Sequence, residues 1–401
     1  SLAAAAGVIE GVRGRLQESR FRSGYVEDKF EVYLELMRLQ LQQGRIADAF
    51  STAERLRARS FVEQLGGRAS VPLSASDRRT EVELRERVRR LQLSLVEADD
   101  DGAPAYPERA IHRFSQELLR VEKEYQAFLD DHARVHAAAD AVPGAPSIQR
   151  RLAADQALLE YVVGPETLVV FVLTARGIAV KSSPLREADL EARIDLLRDL
   201  IRRPGDDRWR KPAARLAAQL FDPLERAGWL AGVTRLYIVP HSVLSYLPFA
   251  LLPRPATGPA NLLIDDYTVV YLPAAAALLR ETVHTETARS LLAVAPSTGG
   301  LRHAPEEARA VGTLFGTHAR TLIGSEATET RFKRVAGEYR VLHLATHGYF
   351  NAASPLFSGL QLEPEGSDDG MLRVHEILDL PLHADLVTLS ACDTALGSGY
   401  F

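Results

Sequence analysis

Two short stretches hold residues capable of acyl-transfer chemistry. In RVLHLATHGYF (340–350), His347 and Gly348 stand just past an apolar run; in DLVTLSACDTALG (385–397), Cys392 stands just past another. Cysteine is a poor nucleophile as the thiol, and a nearby imidazole shifts it toward thiolate. Here His347 is the candidate base and Cys392 the candidate nucleophile. The backbone N–H of Gly348, with that of Cys392, could hold the oxyanion that forms at the attacked carbonyl. The two residues are 45 positions apart, enough for a crossover between neighbouring parallel strands.

Other readings of these residues carry less. His343 and His347 are four apart, a zinc spacing on a helix, but on a strand they lie about 13 Å apart and cannot share one ion. No Glu stands between them as HExxH requires, so no metal is expected and His343 reads as a sheet residue. His241 and His375 read as structural. PSTGG (296–300) hints at a phosphate loop but lacks GK[ST], so Ser297 and Thr298 are expected to line a substrate cleft instead. The run Ala274–Ala277 reads as a packed helix.

Positioning such a pair requires strands that end side by side. From 141 onward, apolar runs of strand length occur at Leu158–Val163, Leu168–Leu173, Leu236–Val239, Thr268–Tyr271, Leu291–Val294, Arg340–Ala345 and Asp385–Leu389. Helical stretches at about 187–202, 209–230, 305–315 and 327–336 separate them. Continuous apolar strands alternating with helices predict a parallel sheet covered on both faces, with functional loops at the strand carboxyl ends.

The first 140 residues are helical in character. Residues 27–65 predict a hairpin: Tyr33 and Leu36 on the first helix, Gly44 at the turn, small Ala49 and Ala53 on the second allowing close approach. Residues 1–22 fit the end of a preceding repeat. After a break at Gly66–Ser76, two charged helices are expected at about 77–97 and 107–138. Leu84, Val88, Leu91 and Leu95 lie on the apolar face of one, and Leu118, Leu119, Tyr125 and Leu129 on that of the other. They read as a spacer or lever, and AVPGAPS (141–147) as a domain boundary. The expected division is 1–70, 71–140 and 141–401.

HLATHG followed by LSACDTALG resembles the CHAT family, caspase-like peptidases related to separase and often found behind tetratricopeptide repeats. The resemblance extends through LEYVVGPETLVVFV (159–172), IVPHSVLSYLPFALL (238–252), EEARAV (306–311), IGSEATETRFK (323–333) and DGMLRVHEIL (369–378). AFSTAERLRARSFVEQL (49–65) is similar to a tetratricopeptide unit, although Met37 and Gln40 depart from its usual small and aromatic choices. The resemblance implies an α/β caspase-like, parallel-rich sheet flanked by helices, preceded by an all-α helical-repeat region. It also implies a Cys–His dyad without cofactor or metal: His347 as base, Cys392 as nucleophile, Gly348 in the oxyanion hole. Its implied setting is bacterial defence or regulated self-killing, with a gasdermin or a CRISPR effector as neighbour. Nucleic acid would then enter only indirectly. Implied partners are a protein substrate and an activating protein docked on the repeats. The rival reading is a catalytically silent scaffold for protein binding, which would need neither His347 nor Cys392.

Asp393 is the acidic residue nearest the nucleophile. It either selects a basic substrate side chain or holds the catalytic loop by accepting backbone N–H bonds. Family members continue further after the second motif, so a completing segment or second subunit is expected beyond Phe401. The missing initiator Met leads to the expectation of further residues upstream.

Composition bounds the rest. A net charge of −5 gives no reason to expect direct nucleic-acid binding, and Arg alternates with Glu as on a solvated helix face, for example from Glu81 to Arg90. A single cysteine excludes an internal disulfide and points to a reducing compartment. SLAAAAGVIEG lacks the order of a signal peptide, and no apolar run approaches the roughly 20 residues of a membrane span. The expected location is the cytoplasm.

Overall fold

A computed structural model describes residues 30–65, 68–70, 74–96, 107–135, 144–203, 205, 207–254, 261–279, 290–298, 300–351, 355–366 and 368–390. Cys392 and Asp393 lie outside the described residues, as do residues 1–22. The chain divides into two compact units, 1–63 with 138–281, and 64–137 with 282–401.

Elements are numbered along the chain. Among the helices of the described residues are α1 Phe30–Gln42, α2 Ile46–Leu65, α3 Ala75–Val96, α4 Glu108–His132, α5 Glu187–Ile201, α6 Arg210–Leu220, α7 Ala304–Phe315, α8 Glu329–Val335 and α9 Val374–Leu378. Among the strands are β1 Gln156–Val163, β2 Thr167–Thr174, β3 Gly177–Pro184, β4 Arg235–Val239, β5 Thr268–Tyr271, β6 Leu291–Ala295, β7 Ala319–Ile323, β8 Val341–Ala345, β9 Gly348–Tyr349, β10 Gly359–Gln361, β11 Met371–Arg373 and β12 Leu386–Ser390.

The first unit is built on a five-stranded sheet in the order β3-β2-β1-β4-β5. β1, β2 and β3 form an antiparallel meander, while β4 and β5 run parallel to β1. Alternation along β1 sends Ala157, Leu159, Tyr161 and Val163 to one face, against α5 and α6, and Leu158 and Val162 to the other. That second face is covered by the α1–α2 hairpin, where Phe50 meets Phe171 edge to face at 5.8 Å. Gly44 makes the hairpin turn at φ +71°, a conformation that costs glycine little. Tyr33, Leu36, Ala49 and Ala53 are buried, and so are Met37 and Gln40. Gln40 is held there by the Thr52 hydroxyl at 2.8 Å.

The second unit is built on a four-stranded sheet, β12-β8-β6-β7, parallel throughout. Leu292, Val294, Leu342 and Leu344 point to one face, packing with α8 and the β9–β11 meander. Leu291, Ala293, Ala295, Val341 and Ala345 point to the other, under α7. The β9–β11 meander follows directly on β8, and only glycine fits at Gly359, where a Cβ would come within 2.6 Å of the Leu372 carbonyl oxygen. α3 and α4 belong to this unit, with Leu84, Val88, Leu118, Val121 and Tyr125 buried together with Phe357.

Three expectations need correction. The sequence suggested one parallel sheet, but the described residues hold several, of which only β12-β8-β6-β7 is parallel throughout; the five-stranded sheet is mixed because its three leading strands are joined by tight antiparallel turns. The helix expected at 209–230 is broken at Phe221, whose φ of −121° is not helical. Leu119, placed on the apolar face of its helix, is 40% exposed, while its neighbour Leu118 is buried.

Candidate active site

The second sheet brings the two motif-bearing strands together in register. β8 and β12 are adjacent and parallel, with Ala345 opposite Ser390, and the Thr346 N–H donates to the Ser390 carbonyl at 3.2 Å. His347 comes two residues after Ala345, as Cys392 comes two residues after Ser390 in the sequence. β6 lies on the other side of β8, and Ala293 and Val294 are level with His343 and Leu344. The loop carrying Ser297 and Thr298 therefore leaves the same edge of the sheet.

His347 is half-buried and tied through its backbone. Its carbonyl accepts from the Gln361 N–H at 2.9 Å, and the buried Thr346 hydroxyl donates to the Gln361 carbonyl. Because His347 O and Gln361 N are bonded, Gly348 faces Leu360 as a non-hydrogen-bonded pair. The Gly348 N–H is thereby directed away from β10, as an oxyanion donor needs to be.

His343 sits within β8, 7% exposed, with Nε2 3.0 Å from a Glu307 carboxylate oxygen on α7. It is one layer below the strand end that carries His347. His375 is buried between Tyr125 and Phe357, its ring centroid 5.4 and 5.5 Å from theirs. His241 accepts the Val163 N–H at 3.1 Å and stacks on Phe30 at 5.3 Å.

The loop after β6 is arranged differently from a phosphate cradle. The N–H groups of Ser297 and Thr298 both donate to one oxygen of Glu363, at 2.6 and 2.8 Å. Glu363 thus occupies both N–H groups with an internal carboxylate. Nothing in the sequence singled it out, because it lies in an ordinary loop, LEPEG.

The segments IGSEATETRFK and DGMLRVHEIL interlock behind this edge. Asp369 and Arg373 form a buried two-bond ion pair, 3.0 and 2.9 Å. Burial acts to raise the Asp369 pKa, but the Arg373 guanidinium holds it below the usual carboxylate range. Glu329 accepts the Gly370 N–H at 2.8 Å and an ion pair from Lys333. Burial, and then the Glu376 charge, push Glu329 up to about 7. Carboxylate oxygens of Glu329, Asp368 and Glu376 lie within 4.8 Å of one another, a spacing that could suit a metal ion. The Lys333 ammonium already pairs with all three, so the cluster is an internal ion network.

The parallel sheet flanked by helices is consistent with a caspase-like α/β fold. Residues 210–400 match the family model of the CHAT domain. No curated protein matches the chain. Among the described residues, no helix is long and apolar enough to cross a membrane.

Proposed function

We propose that this protein is a cysteine endopeptidase in which Cys392 and His347 act as a dyad. The observation that carries the reading is the register of β8 and β12, which delivers the chain to one sheet edge two residues before each member of the pair. In the reaction, the Cys392 thiolate attacks the scissile carbonyl, and the Gly348 and Cys392 N–H groups stabilise the oxyanion. His347 protonates the leaving amine. It then takes a proton from water, which hydrolyses the thioester.

The natural substrate in this reading is a partner protein. Asp369 is engaged by Arg373, which leaves Asp393 as the acidic residue proposed to select a basic side chain before the scissile bond. The helical front is proposed to dock an activating protein. A setting in bacterial defence, a cytoplasmic location and tetratricopeptide character in residues 1–70 belong to the same proposal. β12, at the sheet edge, exposes Leu386, Val387 and Leu389 at 55, 48 and 47%, which supports a further segment or subunit pairing there.

A peptide-library digest with Cys392→Ala as control tests the reading. Cleavage lost in that variant supports it. A thiol-directed, peptide-like probe that labels neither protein, together with no cleavage, favours the scaffold.

A further inference from the structure

Glu122 is a carboxylate on the middle of α4 with no solvent exposure. A buried anion is costly unless its oxygens are hydrogen-bonded. One donor to it comes from Asn351, whose side-chain N–H reaches the Glu122 carboxylate at 2.9 Å. Asn351 is itself 8% exposed, and its backbone N–H donates to the Ser358 hydroxyl at 2.9 Å. It stands four residues after His347, two past the end of the short strand β9.

Apolar contacts run beside this bond. Tyr125, one turn further along α4, packs on Phe357 with ring centroids 5.4 Å apart. Phe357 and Asn351 both lie between β9 and β10 along the chain. Tyr349 lies within the same field: burial, and then the Glu122 charge, push its hydroxyl up to about 12. The segment after His347 is thus held at its two ends by different elements. The Thr346 hydroxyl and the Gln361 N–H fix the start against β10, and α4 fixes the end.

We propose that Glu122 and Asn351 form a positioning pair through which α4 sets the placement of the segment carrying His347. A buried polar pair adds little net stability compared with apolar side chains, but it accepts only one arrangement. That suits a part whose geometry matters more than its strength. A shift of α4 would withdraw Asn351 and, along β9, Gly348. The inference rests on the reading of His347 as the base.

An exchange of partners tests it. Asn351→Asp puts two carboxylates in one buried site, where both cannot be ionised without repulsion. Adding Glu122→Gln restores one amide facing one carboxylate with the identities swapped. Two readouts need no substrate: hydrogen–deuterium exchange over 348–351, and the rate at which iodoacetamide alkylates Cys392. Asn351→Asp should speed the exchange and slow the alkylation, each roughly tenfold, and the double variant should recover to within about threefold of the native protein. If Asn351→Asp does not fold, Asn351→Ala replaces it, with faster exchange over 348–351 and unchanged exchange in α4 as the supporting result. No change in either readout, or a double variant no better than Asn351→Asp, overturns the pair. Recovery as expected in a protein that cleaves no peptide would count against the peptidase reading alone.

Discussion

Ala345 and Ser390 stand opposite each other as the last register pair of the parallel β8–β12 ladder. Parallel strands put equal steps of chain at equal heights, so β8 and β12 reach this level of the sheet together. His347 and Cys392 each follow two positions later in the sequence, and their proposed cooperation rests on that register.

His343 and His347 should therefore separate in mutagenesis. His347→Ala should lower kcat at least a hundredfold with little change in stability, since its side chain is half-buried on a loop. His343→Ala should leave kcat within a few-fold and lower stability by about 1–3 kcal/mol, because it strands the Glu307 contact and opens a gap under α7. Urea unfolding and steady-state kinetics on the two variants check this. Equal loss of kcat in a stable His343→Ala protein would reassign the base.

Thr346 offers a finer test of how the base is held. Its hydroxyl donates to the Gln361 carbonyl, and Thr346→Val removes that donor at nearly constant volume. The expected cost is about 1–2 kcal/mol in stability and a fall in kcat without a matching rise in KM. Thr346→Ser should recover most of the activity, as it keeps the oxygen.

The Asp369–Arg373 pair predicts a large asymmetry. Removing one partner by Arg373→Met leaves a buried carboxylate without its cation, held only by the Met371 N–H, and should cost about 3–5 kcal/mol. Removing both, with Asp369→Leu added, should recover part of that loss. Chemical denaturation of the single and double variants measures it.

Glu329 predicts a pH dependence of stability. Its folded pKa of about 7 lies above the unfolded value, so the folded state binds the proton more tightly. Stability from this group is present below about pH 4.3 and is lost as pH rises through 7. Wild type should lose on the order of 2 kcal/mol between pH 5 and 8 relative to Glu329→Gln. Parallel urea titrations of the two proteins at both pH values decide it.

Much of this architecture was visible in the sequence because apolar runs of four to six residues leave few alternatives to buried strands. β2, β4 and β6 each contain such a run, while β1, β8 and β12 carry apolar residues interrupted once, by Glu160, His343 and Thr388, and β5 holds the shorter run Val269–Tyr271. β7, ARTLI, was not visible, since Arg320 interrupts it and burial is uneven along an edge strand. β3, GIAVKSSP, is an edge strand with no buried residue. β9 is only two residues long and is held by Leu360, Gly359 and the Thr346 hydroxyl rather than by any pattern of its own. Partners such as Glu122 with Asn351, or Glu363 with Ser297, are separated by long stretches of chain, and a sequence records no distance between them.

In the proposed mechanism the Cys392 thiol is activated by His347. That activation is tested most directly by intact-mass measurement of covalent labelling with a peptidyl electrophile, in wild type, His347→Ala and Cys392→Ala, with and without candidate activating proteins. A single adduct is expected on Cys392 in wild type, labelling at least roughly tenfold slower in His347→Ala, and none in Cys392→Ala. Labelling of wild type and His347→Ala at equal rates under every condition would contradict it.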